Sequence, residues 1–111
     1  MSNPRALIID DEPDIRELLE ITLARMEIDT ESAEDLASAR RLLATRPFQL
    51  CLADLRLPDG DGLELVRLIA AEYPQTPVAV ITAHGNMEIA IEALKAGAFD
   101  FVSKPVDLQG L

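Results

Sequence analysis

Five side chains in this sequence are of types that handle phosphate, and each stands where an apolar run gives out. Asp10 and Asp11 follow residues 5–9 (RALII), Asp54 follows residues 48–53, Thr82 follows residues 78–81 and Lys104 follows residues 99–103. Short apolar runs of this kind suit buried parallel strands. The carboxyl ends of such strands form the rim where α/β proteins keep their chemistry. Three carboxylates gathered at one rim repel each other, and a divalent cation removes the conflict. Mg²⁺ (or Mn²⁺) accepts a few carboxylate oxygens, several waters and a phosphate oxygen, which fits an open rim. Asp54 could then attack phosphorus while the metal and Lys104 neutralise charge, since phosphoryl transfer asks a protein mainly for positioning and electrostatics.

Each residue also has a plainer reading. Asp10 and Asp11 could cap the first helix, Asp54 could be a turn acid, Lys104 a solvated base and Thr82 an ordinary β-branched strand residue. The joint pattern outweighs these, because each member follows a different strand. Other motifs carry less. Asp59-Gly60-Asp61-Gly62 lacks the alternating acids and the twelfth-position Glu of an EF-hand and reads as a turn. His84 is the only histidine and has no Cys or His cluster around it, which favours a loop role. There is neither a Gly-x-Gly-x-x-Gly nor a Walker loop.

Positioning these residues takes five strands and the helices between them. Acids and Pro13 open a first helix, whose apolar face is Ile15, Leu18, Leu19, Thr22, Leu23 and Met26. Residues 28–32 are partly polar and predict an edge strand. Leu36, Ala39, Leu42 and Leu43 mark a second helix, and Leu65, Val66, Ile69 and Ala70 a third. Asn86 is a candidate N-cap for a fourth helix lined by Met87, Ala90, Ile91 and Leu94 and ended by Gly97. Ile89, Ala93 and Ala96 lie off that face. They are expected at the surface, as a docking patch or as scattered surface apolars. Alternating strands and helices predict a doubly wound α/β fold with a parallel five-stranded sheet in the order 2-1-3-4-5. Residues 106–108 begin a fifth helix that is largely missing. One domain, 1–111, is therefore expected to be cut from a longer protein and to leave apolar surface uncovered beside the first helix.

Composition bounds the rest. The 111 residues make one domain with a Leu, Ile, Val and Ala core, since only 4% is aromatic. A net charge of −10 argues against direct nucleic-acid contact. The lone Cys51 sits in an apolar strand and reads as a buried thiol. No basic-then-apolar leader and no run of about 18 apolar residues occurs, which predicts a cytoplasmic chain with no membrane contact.

Leu7-Ile8-Ile9-Asp10-Asp11-Glu12, Asp54-Leu55-Arg56-Leu57-Pro58-Asp59-Gly60, Ile81-Thr82-Ala83 and Lys104-Pro105 together resemble the receiver domain of bacterial two-component response regulators, over the whole chain. The resemblance implies a flavodoxin-like (CheY-like) fold. It implies Asp54 as phosphoacceptor, and a metal held by Asp10, Asp11, Asp54 and the backbone carbonyl of Arg56. Thr82 and Ala83 would bind the phosphoryl group, Lys104 would pair with it across a cis bond to Pro105, and Phe101 would take the switch-aromatic place without a hydroxyl. The moved surface would be the fourth helix and fifth strand.

Residues 11–19 and 96–101 resemble, more narrowly, NtrC-like regulators of σ54-dependent transcription, and among these the regulators of type IV pilus genes. This implies a sensor histidine kinase as partner, a homodimer, and AAA+ ATPase and DNA-binding domains elsewhere in the full-length protein. Such a domain is not an enzyme in the ordinary sense. Two other readings are a receiver-like module that is never phosphorylated and a haloacid-dehalogenase-like phosphatase. The first is disfavoured by Asp54, Thr82 and Lys104, the second by Arg56 where a second acid belongs.

Overall fold

The structure is a computed structural model that describes residues 3–83 and 85–104. The chain runs β1 (Arg5–Ile9), α1 (Pro13–Arg25), β2 (Asp29–Ala33), α2 (Leu36–Thr45) and β3 (Leu50–Ala53). A small hairpin of β4 (Arg56–Leu57) and β5 (Gly60–Asp61) follows, then α3 (Gly62–Glu72), β6 (Val78–Thr82), α4 (Met87–Ala96) and β7 (Asp100–Ser103). The five long strands pair in parallel in the order β2-β1-β3-β6-β7. This is the expected 2-1-3-4-5 order with the hairpin strands interposed in the numbering. The polar β2 takes one edge, and β1 and β3 lie side by side at the switch point.

Alternation along β1 divides the core between the two sheet faces. Leu7 and Ile9 pack with Leu36, Leu43, Val66, Ile69 and Ala93 under α2, α3 and α4. Ala6 and Ile8 pack with Leu19, Leu23 and Ile81 under α1. Because both faces are covered, β1 and β6 read as unbroken apolar runs rather than as alternating ones. Beside α1, the described residues form an apolar trough lined by Leu19, Leu23, Leu52, Ile81, Phe99 and Val102.

Local chemistry ends the helices where expected. Pro13 opens α1, and Asn86 caps α4 by accepting from the Ile89 N–H at 2.9 Å. Gly97 closes α4 at φ +124°, a conformation that costs glycine nothing.

Two expectations need correction. The buried face of α4 is the opposite of the predicted one: Ala93 is 0% exposed and Ile89 and Ala96 pack on the core, while Met87 and Leu94 are 76% and 49% exposed. Ile91 is exposed as well. Small residues let α4 approach α3 and the sheet closely, so fit decided the face and bulk did not. The last strand begins at Asp100, and Phe99 is exposed. The fifth-helix start at 106–108, the Lys104–Pro105 bond and His84 lie outside the described residues.

Candidate functional site

The sheet ladder delivers three of the candidate residues directly. The Asp10 N–H donates to the Ala33 carbonyl at 3.0 Å, continuing the pairing of β1 with β2. The Asp54 N–H donates to the Ile9 carbonyl at 2.9 Å, and the Lys104 N–H to the Thr82 carbonyl at 2.9 Å. Each residue is thus the first beyond its strand while its backbone is still held by the neighbouring one.

Side-chain bonds then aim the carboxylates. Asp10 is buried; its Oδ1 accepts from the Glu12 N–H at 2.9 Å and its carbonyl from Arg16 Nη1 at 2.6 Å. The plainer reading of Asp10 as a helix cap therefore does not hold. The N-cap of α1 is Glu12, which makes no side-chain cap bond. Asp54 is buried too; its Oδ1 accepts from the Leu55 N–H at 2.7 Å and, more weakly, from the Arg56 N–H at 3.4 Å. This leaves Oδ2 facing the pocket.

Lys104 Nζ sits at the centre. It lies 2.9 Å from Asp10 Oδ2, 2.9 Å from Glu12 Oε1 and 2.9 Å from Asp54 Oδ2. An ammonium has three hydrogens, and here each has a carboxylate. The Lys104 side chain is only 6% exposed. Burial alone would push its pKa down, but the bonds to Glu12, Asp10 and Asp54 outweigh this and hold it above the ordinary lysine value. Burial pushes the Asp10 carboxyl up, against the hydrogen bonds from Lys104 and the Glu12 backbone.

One oxygen from each of Asp10, Asp11, Glu12 and Asp54 lies within 4.8 Å of the others. An all-carboxylate set of this size suits a hard divalent cation such as Mg²⁺, Mn²⁺ or Ca²⁺. Asp11 is exposed, and Arg56, also exposed, begins the hairpin two residues after Asp54.

The opposite side of the rim holds the other predicted residues. Thr82 is fully buried at the end of β6, in register with Ser103, and Ala83 is exposed in the loop that follows. Phe101 is half-buried in β7. Gly85 lies so close to it that a Cβ there would overlap the ring edge, with Thr82 Cγ2 at 3.6 Å.

Four residues at the site escaped the sequence reading. Glu12 reads as a helix-start acid, and only a third acid beside Asp10-Asp11 hints at more. Asp59 reads as a turn residue, yet its carboxylate accepts from the Leu36 N–H at 2.8 Å and the Ala37 N–H at 3.1 Å at the start of α2. No short-range pattern reveals a cap 23 residues away. Gly62 passes so close to β3 that a Cβ would overlap the Asp54 carbonyl and stand 2.8 Å from Leu55 Cα. Gly85 is the fourth.

The response regulator receiver domain family model matches residues 6–111. The response regulator protein PilR of Pseudomonas aeruginosa is 67% identical over 108 residues, which cover 97% of this chain and 24% of that protein. The DNA-binding transcriptional regulator NtrC of Escherichia coli is 36% identical over 101 residues, covering 91% of this chain and 22% of NtrC. This chain thus spans about a quarter of the curated relatives it matches. Among solved structures, a Burkholderia pseudomallei response regulator with a phosphorylated aspartic acid, calcium ion and citrate superposes with TM-score 0.91 at 25% identity, over 97% of this chain and 64% of that one. The beryllofluoride-activated NtrC4 receiver domain dimer superposes with TM-score 0.90 at 32% identity, over 96% and 88%.

Proposed function

This chain belongs to the response regulator receiver domain family, of the PilR- and NtrC-like kind, and from that premise we propose that Asp54 is its phosphoacceptor. The observation that carries the reading is the division of labour at Asp54. Oδ1 is held by the Leu55 N–H, and Oδ2 is presented to Lys104 inside a four-acid pocket. Asp10, Asp11, Asp54 and the Arg56 carbonyl would hold Mg²⁺, with Mn²⁺ as a substitute. When bound, the ion supplies positive charge to the phosphoryl oxygens.

Asp54 Oδ2 attacks phosphorus of a sensor kinase's phosphohistidine. The O–P bond forms as the N–P bond breaks, and the imidazole leaves to be protonated by solvent. Lys104 follows the charge from Oδ2 to a phosphoryl oxygen. Thr82 donates its hydroxyl to another, beside the exposed Ala83. The new group adds roughly −1.5 to −2 charges. Gly85 backs closely onto the Phe101 ring beside Thr82, so a rearranged Thr82 would alter that packing, which supports α4 and β7 as the surface that changes. A coupling of about 1–3 kcal/mol is the usual size of such a bias.

In the full-length protein that surface would control a homodimer, an AAA+ ATPase and a DNA-binding domain in the cytoplasm. This domain would make no nucleic-acid contact of its own. Among the described residues no helix is long and apolar enough to cross a membrane.

Intact mass after incubation with acetyl phosphate tests the reading. A single phosphoryl adduct that requires Mg²⁺ and is absent in Asp54→Asn is expected. No adduct on a folded wild-type chain overturns it.

A further inference from the structure

Lys104 has three carboxylate partners, and the proposed reaction uses up two of them. Asp10 would turn to a bound metal, and Asp54 Oδ2, which now lies 2.9 Å from Nζ, to phosphorus. Glu12 has neither fate in that scheme. Its carboxylate is 55% exposed at the outer edge of the pocket, it makes no cap bond to α1, and it still reaches Nζ at 2.9 Å. It is the N-cap residue just ahead of α1, where the Arg16 bond to the Asp10 carbonyl and the Asp10 bond to the Glu12 N–H fix the backbone.

We infer that Glu12 is a positioning residue: it tethers the Lys104 ammonium at the rim while Asp10 passes to the metal and Asp54 Oδ2 to phosphorus. A cation left with no fixed partner at that moment would swing toward solvent on its four-carbon stem and have to be recaptured. The inference rests on Asp54 being the phosphoacceptor.

Glu12→Gln separates this role from a direct metal role. At saturating Mg²⁺, acetyl phosphate should modify Glu12→Gln about three- to fivefold more slowly than wild type. The same substitution should have no further effect in a Lys104→Gln background, because the two act as one unit. In the chain loaded with Mg²⁺ and beryllofluoride, the Lys104 ammonium ¹⁵N–¹H signal should broaden in Glu12→Gln through faster exchange with water. A rate restored by more Mg²⁺, an equal slowing in both backgrounds, or an unchanged ammonium signal overturns the tether. A wild-type chain that takes no phosphoryl group overturns the phosphoacceptor reading itself. A modified wild type matched in rate by Glu12→Gln overturns the tether alone.

Discussion

On one side of the rim, the loops after β1 and β3 are tied down by polar bonds. Asp10 is fixed through Ala33, Glu12 and Arg16, Asp54 through Ile9 and Leu55, and the hairpin through Asp59 to the start of α2. On the other side, among the described residues, Asn86 caps α4 through the Ile89 N–H and the rest of the segment after β6 meets its neighbours by packing: Gly85 against Phe101, and Ile89, Ala93 and Ala96 against the core. Directional bonds place charges to within tenths of an ångström, as a site that must gather repelling carboxylates requires. Packing of small residues tolerates alternative arrangements more readily, and suits a surface that must change when the charge at Asp54 changes.

The sharpest way to break this contrast is to remove the cation that unites the polar side. Lys104→Met leaves Asp10 and Asp54 buried without their counter-charge and should cost about 3 kcal/mol in urea unfolding without metal. Adding Mg²⁺ should recover part of that loss. The pH dependence has a definite sign. Asp10 has a folded pKa raised by burial, so the folded state binds its proton more readily. Its contribution falls as pH rises from about 4 through the folded value. Lys104 opposes that rise, so the variant should lose stability over this range more steeply than wild type. Its own raised pKa keeps its contribution intact below the ordinary lysine value, to be lost only as pH climbs through the folded one. Equal slopes would mean that the polar side does not depend on its ion triad.

The packed side is tested by two neighbouring residues on α4. Ala93→Leu forces volume into a fully buried position and should cost about 1–3 kcal/mol. Leu94→Ala, at a site 49% exposed, should stay within about 0.5 kcal/mol. Urea unfolding of both variants decides between the observed face and the one read from the sequence. A larger loss at Leu94 would restore the sequence reading.

The same division governs what could be read from the residues alone. Strand positions, sheet order and the convergence of Asp10, Asp54 and Lys104 are legible, because every strand but the polar β2 lies in a bounded, mostly apolar run and its rim residue comes next in the chain. The face of α4 was not, because Met87, Ile91 and Leu94 make a better apolar stripe than Ile89, Ala93 and Ala96. Nothing local says that closeness of approach will outrank bulk. Glu12 was hidden by its neighbours, since an acid before Pro13 already has a reason to be there. Gly62 and Gly85 were hidden because a close approach belongs to the partner backbone or ring as much as to the glycine.

Asp59 gives the most local test. Its two oxygens occupy the Leu36 and Ala37 N–H groups while Asp35 takes that of Ser38 at 2.8 Å, so three free donors of α2 are met by two acids. Asp59→Ala should cost about 1 kcal/mol, the usual worth of a cap. The loss should appear first as faster amide exchange at Leu36 and Ala37. Asp59→Asn keeps one acceptor oxygen and should fall between the two. Asp54 Oδ1 retains its own bond to the Leu55 N–H in either variant, so phosphorylation by acetyl phosphate should slow less than in Glu12→Gln. Slowing that matched or exceeded Glu12→Gln would place the positioning of Asp54 in the hairpin's anchor on α2 rather than in the bonds Asp54 makes for itself.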